Sequence, residues 1–476
     1  MSLTHALKWS FLSELAAKAI QPLVFIVLAR LLTPEDYGVM SSALMVTAFS
    51  QIFWEAGMGK ALIQRQTDVK DATNVVFWVN FGLAIFITGL LFSTASSIAM
   101  TFFKDTRVTS VIQVMTLQVC LGALGSVQTA LLQKDMGFKK LFWVRFATVS
   151  LPGLASIPLA WHGMGYWALV VGTLVGQAAQ VIMLWSMSSW RPEWKFHIPV
   201  AKEMVRFGAW VGLSGLLAWF YVWMDSLVVG MYLGSHDLGL YRTGSQFSNM
   251  VFALLFGPIT PVLYSHLSRM NGDRNRITIV AEKVIKSLVI VAVPVAIILF
   301  SVSDSVSIAI FGEKWKGVEL VIGVMALMQG FSWVVGMNGE FYRAIGKPSY
   351  EPIVNASVLS VYLAGYLYSI SFGFEYFVWT RLGLALFALV LHLFVLQRIT
   401  QLKIYNTINY IILVASVSFF VAIAISYLFY GHSPNPWIHF LVSGLISVFM
   451  IGGIIFYFEK DRMVPELVTM LKRTAR

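Results

Sequence analysis

Apolar stretches long enough to cross a bilayer follow one another along the whole chain, and they constrain its fold more than any other feature. A hydrocarbon core of about 30 Å takes roughly 20 residues of helix at 1.5 Å each. Within lipid every backbone N–H and C=O must find its partner inside the structure, so stretches of this length fold as helices. They do not alternate apolar with polar residues, which excludes a transmembrane β-barrel. With 58% hydrophobic and 12% charged residues, the chain carries about half the charge of a soluble domain. The spacing predicts fourteen spans, near 11–32, 37–57, 74–100, 108–132, 141–161, 164–188, 207–233, 238–265, 284–303, 317–342, 350–371, 376–397, 406–430 and 437–458. The connections are short, so no extramembrane catalytic domain is expected. The fold class is an all-α integral membrane protein.

The loops predict an orientation. With the N-terminus inside, twenty-five Lys and Arg fall in cytoplasmic segments and six in the opposite ones. The remaining three, Lys18, Arg145 and Arg381, lie inside spans or at their starts. Such a bias places both termini in the cytoplasm. It also accounts for the excess of 34 basic over 23 acidic residues, so nucleic acid is not an expected partner. The single cysteine, Cys120, lies within a span and allows no intramolecular disulfide. No cleavable signal peptide is expected, because the first apolar segment holds Glu14, Lys18 and Arg30.

The chain also repeats itself. Leu32-Thr33-Pro34-Glu35-Asp36-Tyr37-Gly38 after span 1 matches Leu233-Gly234-Ser235-His236-Asp237-Leu238-Gly239 after span 7, at an offset of 201. Val111 to Leu117 matches Val321 to Leu327 at an offset of 210. Six spans separate the partners each time, which predicts a parallel repeat about an axis along the membrane normal. The expected organisation is a six-helix lobe over 1–189, a second over 206–398, and two further helices with a basic tail over 404–476. The loop chemistry has a plain purpose beside any transport role. Thr33 and Ser235 can cap the next helix, and Asp36 and Asp237 face its positive dipole end.

Residues Ala29 to Gly38 closely resemble the first-loop signature of bacterial polysaccharide transporters, the Wzx-type flippases of the multidrug/oligosaccharidyl-lipid/polysaccharide exporter superfamily. The likeness continues through Gly57 to Arg65, Asp225, Leu233 to Tyr241, Phe311-Gly312-Glu313-Lys314-Trp315 and Ile345-Gly346-Lys347-Pro348. The resemblance implies two six-helix lobes around a central cavity that opens alternately to either side. It implies a cargo of undecaprenyl-diphosphate-linked oligosaccharide for exopolysaccharide or lipopolysaccharide assembly in the bacterial inner membrane. Membrane lipids, a polysaccharide polymerase and export machinery are the partners it implies.

A charge within a span is costly and marks a candidate functional residue. Ser10, Glu14, Lys18 and Gln21 form one stripe on span 1, and Thr47, Gln51 and Glu55 another on span 2. Lys18, Arg381 and Arg30 are candidate cations for the diphosphate. Glu14, Asp225 and Glu340 are candidate carboxylates for ion coupling. The competing reading makes all of them inter-helix pairs that stabilise packing. No cofactor, metal site or catalytic residue is expected. Gly339 to Gly346-Lys347-Pro348 is too widely spaced for a phosphate loop and carries Pro348 where a Ser or Thr is needed. A drug or small-cation exporter of the same superfamily and a polytopic polymerase or glycosyltransferase are the alternative functions. The loop signatures speak against the first, and the lack of a large outer loop against the second.

Overall fold

A computed structural model describes residues 3–55, 57–257, 274–430 and 435–474. Among the described residues the chain is helical almost throughout, with no strand. The first helices are α1 (Leu3–Leu31), α2 (Pro34–Glu55), α3 (Met58–Gln64), α4 (Val69–Ile98) and α5 (Thr106–Lys134). They are followed by α6 (Phe138–Trp161), α7 (Tyr166–Met187), α8 (Ile198–Leu233) and α9 (Ser235–Phe256). The later ones are α10 (Arg274–Ser301), α11 (Val318–Val335), α12 (Asn338–Ala344), α13 (Tyr350–Ser369), α14 (Phe374–Ile399), α15 (Ile404–Tyr430) and α16 (Pro436–Thr474).

Among the described residues, eleven helices are long and apolar enough to cross a membrane. The expected spans 1, 2 and 8 are not among these eleven. They fall on α1, α2 and α9; most side chains of α1 before Lys18, and residues 258–265 of expected span 8, lie outside the described residues. Large apolar side chains point outward, among them Phe86 (67% exposed), Leu154 (68%) and Phe449 (76%). Exposed apolar side chains on helices of this length are stable against lipid, not against water. The chain is a multi-pass helical membrane protein.

Two compact units divide it, Met1–Arg242 and Thr243–Arg476. In the first, α6 packs on α1 and α7, α5 on α2, α4 and α7, and α8 along α2, α3 and α4. In the second, α10 packs on α11, α15 and α16, while α14 packs on α11 and α13.

Local chemistry sets the helix starts. Thr33 donates from N and Oγ1 to Asp36 Oδ2, each at 3.0 Å, and Asp36 N donates back to Thr33 Oγ1 at 3.3 Å. This reciprocal cap opens α2 with Pro34 in its first position. The other oxygen of Asp36 accepts from Tyr166 N at 2.8 Å and so fastens the start of α7 to that of α2. Asp36 is thus a structural anchor. Ser235 does something other than cap its own helix: its hydroxyl donates to Asp105 Oδ2 at 2.7 Å, tying α9 to the turn before α5. The Phe311 to Trp315 run folds as a tight hook. Gly312 (φ 87°) and Gly317 (φ 102°) take backbone conformations that favour glycine, and Trp315 between them is fully buried.

The starts of α2 and α9 approach very closely. A Cβ on Gly38 would stand 1.7 Å from the Ser235 carbonyl oxygen, and one on Gly239 would stand 1.8 Å from the Pro34 carbonyl oxygen. Only glycine permits backbones this near, as at other close helix crossings in membranes. Each is the glycine of one L-x-x-x-D-x-G match, and each meets the helix start of the other.

Candidate functional site

Within the first unit, side chains of α2, α5, α7 and α8 enclose a cavity of about 340 Å³. The polar stripe of α2 forms one wall with Thr47, Gln51 and Glu55, and Trp54 stands beside it. Spacings of three and four residues put such groups on one helix face. α5 brings Gln118, Ser126 and Thr129, α7 brings Gln177 and Gln180, and α8 brings Trp223. Gly122 makes room, since a Cβ there would lie 2.9 Å from the Trp54 ring. Gln51 Nε2 donates to Glu55 Oε2 at 2.7 Å. A second space of about 360 Å³ shares Gln51, Glu55 and Trp223 with the first and adds Lys60 of α3.

Two side chains of the wall each hold a buried polar atom without a hydrogen-bond partner in the protein, the Trp54 Nε1 donor and the Gln118 Oε1 acceptor, both set back from the cavity surface. Trp54 itself is 5% exposed. An unmet buried polar atom costs about 1–3 kcal/mol, so a small turn of either side chain toward a hydrogen-bonding occupant would be favoured.

At the end of the unit where α2 begins, a polar cluster joins α2, α5 and α9. His236 Nδ1 lies 2.6 Å from Glu35 Oε1, and Arg107 Nη2 lies 2.9 Å from Asp105 Oδ2. Burial works against ionisation of Asp105, but hydrogen bonds from Arg107 and Ser235 outweigh it and hold its carboxyl below the ordinary value. A lowered pKa means that the contribution of Asp105 is complete at neutral pH and fades only as pH falls through that lowered value.

The expected site residues are spread over both units. Lys18 is half-buried on α1 and Arg30 is exposed near its end; neither stands on the walls of the two cavities. Glu14 lies on α1, but its side chain falls outside the described residues. Asp225 on α8 is 8% exposed and well partnered. Its carboxylate accepts from Ser226 N at 2.6 Å, Ser226 Oγ at 3.1 Å and Tyr241 Oη at 2.8 Å. The nearby guanidinium of Arg242 lies 4.1 Å from the Trp223 ring centre. In the second unit, Arg381 donates to Tyr366 Oη and sits 5.6 Å and 5.4 Å over the rings of Tyr362 and Tyr366. Glu340 pairs with Arg343 at 2.7 Å, which also pairs with Glu351 at 2.6 Å.

The model of the family described as polysaccharide biosynthesis protein matches residues 27–319. The chain belongs to the polysaccharide biosynthesis protein family. A similar protein is the succinoglycan biosynthesis transport protein ExoT of Rhizobium meliloti, 25% identical over 73% of this chain and 70% of that one. The teichuronic acid biosynthesis protein TuaB of Bacillus subtilis is 24% identical over 75% and 74% of the two chains. The lipopolysaccharide biosynthesis protein WzxC of Escherichia coli is 23% identical over 72% and 67%. Among solved structures, the lipid II flippase MurJ in an inward closed conformation superposes with a TM-score of 0.77 at 13% identity, covering 96% of this chain and all of that one. An inward-facing MATE-family multidrug transporter of the MOP superfamily gives 0.59 at 14% identity, covering 80% and 95%. This family member therefore has the MurJ and MATE fold.

In the family member, Lys18, Arg30, Asp225, Arg381 and Glu340 do not line the cavity, whereas Glu55 of the α2 stripe does. Its walls are mostly uncharged amides, hydroxyls and indoles. The signal was present in Gln118, Gln177 and Gln180, neutral polar residues inside otherwise apolar spans. A search for charge alone passes over them.

Proposed function

We propose that the chain is a flippase for undecaprenyl-diphosphate-linked oligosaccharide, carrying repeat units from the cytoplasmic to the outer leaflet for exopolysaccharide or lipopolysaccharide assembly. The observation that carries this reading is a hydrogen-bonding cavity sunk between membrane helices, in a family whose similar members are named for polysaccharide biosynthesis and transport. A sugar headgroup cannot enter hydrocarbon without such a polar lining. The protein acts as a transporter rather than an enzyme, in the bacterial inner membrane, alongside the polymerase and export machinery that use its product. Two six-helix lobes, 1–189 and 206–398, work by alternating access, and helices in 404–476 are additional. Lys18, Arg30 and Arg381 serve as cations for the diphosphate; Glu14, Asp225 and Glu340 serve ion coupling.

Cells lacking the chain should accumulate the lipid-linked oligosaccharide at full repeat length, seen by mass spectrometry of extracted lipids. Returning the wild-type chain or Lys18→Arg should clear it, and Lys18→Gln should not. Accumulation of shorter, incomplete units instead would point to a transferase.

Orientation has its own test. Reporter fusions after Thr67 and Arg274 should read cytoplasmic, and fusions after Thr106 and Ser433 external. One reversed reading would break the fourteen-span arrangement.

A further inference from the structure

We propose that the cavity between α2, α5, α7 and α8 is a subsite for an uncharged, hydroxyl-rich sugar of the cargo, gripped by amides and indoles rather than by charge. This rests on the flippase reading and names which part of the cargo the cavity takes. Of the residues that line it, Glu55 alone is ionisable, and no Lys or Arg stands on its wall. A diphosphate would meet no cation there, so the anionic part of the cargo belongs elsewhere. A bare cation would find Glu55 and the amide oxygens, but it would leave the Trp54 N–H without an acceptor. An apolar ligand would leave the amides of Gln118, Gln177 and Gln180 unpaired, which sites of this kind reject strongly.

A sugar hydroxyl both donates and accepts. With a small turn of each side chain it can take the Trp54 N–H and give its proton to the Gln118 carbonyl oxygen, both unpaired within the protein. Side-chain amides offer the same mixed pattern again at Gln177 and Gln180. Trp223, half-buried with Arg242 over its ring, adds an apolar surface for the C–H face of a sugar ring. A volume of about 340 Å³ lies at the low end for small-molecule sites and suits a small portion of an oligosaccharide, not the whole repeat.

The test uses the purified full chain in lipid nanodiscs and two probes. One is undecaprenyl diphosphate; the other is the undecaprenyl-diphosphate-linked oligosaccharide fraction extracted from the bacterium that carries this chain. Wild type should bind the glycosylated probe at least about tenfold more tightly. Trp54→Phe keeps an aromatic ring but removes the donor, and Gln118→Leu removes the amide with its acceptor. Each should cut that preference roughly three- to tenfold, the worth of one hydrogen bond, with affinity for bare undecaprenyl diphosphate unchanged. If Gln118→Leu fails to fold, Gln180→Leu, at a half-buried position, carries the same expectation. Equal binding of the two probes by wild type would overturn the sugar subsite and leave the flippase reading standing. Binding of neither probe would overturn the flippase reading itself. A sodium dependence that Gln118→Leu abolishes, with the sugar preference intact, would make this a cation site and sink the proposal.

Discussion

Replacing Gly38 by alanine is expected to destabilise the protein strongly. The new Cβ would stand 1.7 Å from the Ser235 carbonyl oxygen, a rigid backbone atom that no rotamer change can move aside. Overpacking of this kind costs about 1–3 kcal/mol, and more where backbone must shift. α2 and α9 would have to separate, pulling on the Glu35–His236 contact and on the Ser235–Asp105 hydrogen bond beside it. Gly239→Ala meets the Pro34 carbonyl oxygen at 1.8 Å and should do the same. Both act on one crossing, so the double substitution should cost little more than either single one, as expected for coupled neighbours. Thermal unfolding of the detergent-purified variants, followed by size-exclusion fluorescence, reads this directly. A Gly38→Ala protein as stable as wild type would mean the two helix starts are not held this close.

Asp225→Asn should give the second large effect. The carboxylate is buried, takes three hydrogen bonds, and is the negative charge that attracts the Arg242 guanidinium. Removing one partner of a buried charge pair costs about 3–5 kcal/mol, because the other charge is left in low dielectric. Arg242 is only half-buried, so the lower end of that range is expected here. Asp225→Asn with Arg242→Gln should regain most of the lost stability, since it removes the orphaned charge. Transport then separates two roles. Ion coupling by Asp225 predicts that the double variant is stable yet inactive. Polysaccharide output that returns together with stability would take Asp225 off the coupling residues.

The membrane class and the helices were legible because lipid allows little else: a long apolar run must be a helix. Turn chemistry was legible for the same reason at Thr33, Pro34 and Asp36, where a cap has few alternatives. Ser235 read as a cap too, yet its hydroxyl goes to Asp105, a choice made by packing between segments 130 residues apart. The stripe Thr47, Gln51 and Glu55 was visible by its period, and it does line a cavity. Gln118, Gln177, Gln180 and Trp223 were not, since uncharged polar groups in a span carry little cost by themselves. Only tertiary structure shows that they converge. The charged residues tell the converse story. Arg381 lies against Tyr362 and Tyr366 of α13, a pairing that one helix seen alone does not reveal, whereas Glu340 and Arg343 are an i,i+3 pair within α12 that spacing alone allows.

The most direct measurement of the central claim is transbilayer movement by the purified chain. Proteoliposomes would carry undecaprenyl-diphosphate-linked oligosaccharide with a fluorescent label on its sugar, and dithionite added outside would bleach only the label it can reach. Without protein, bleaching should stop at the outer-leaflet share. With the chain reconstituted, and a sodium or proton gradient imposed in turn, it should proceed until nearly all label is lost. Bleaching that stops at the outer-leaflet share under every gradient, from protein shown to be folded and inserted, would contradict the account.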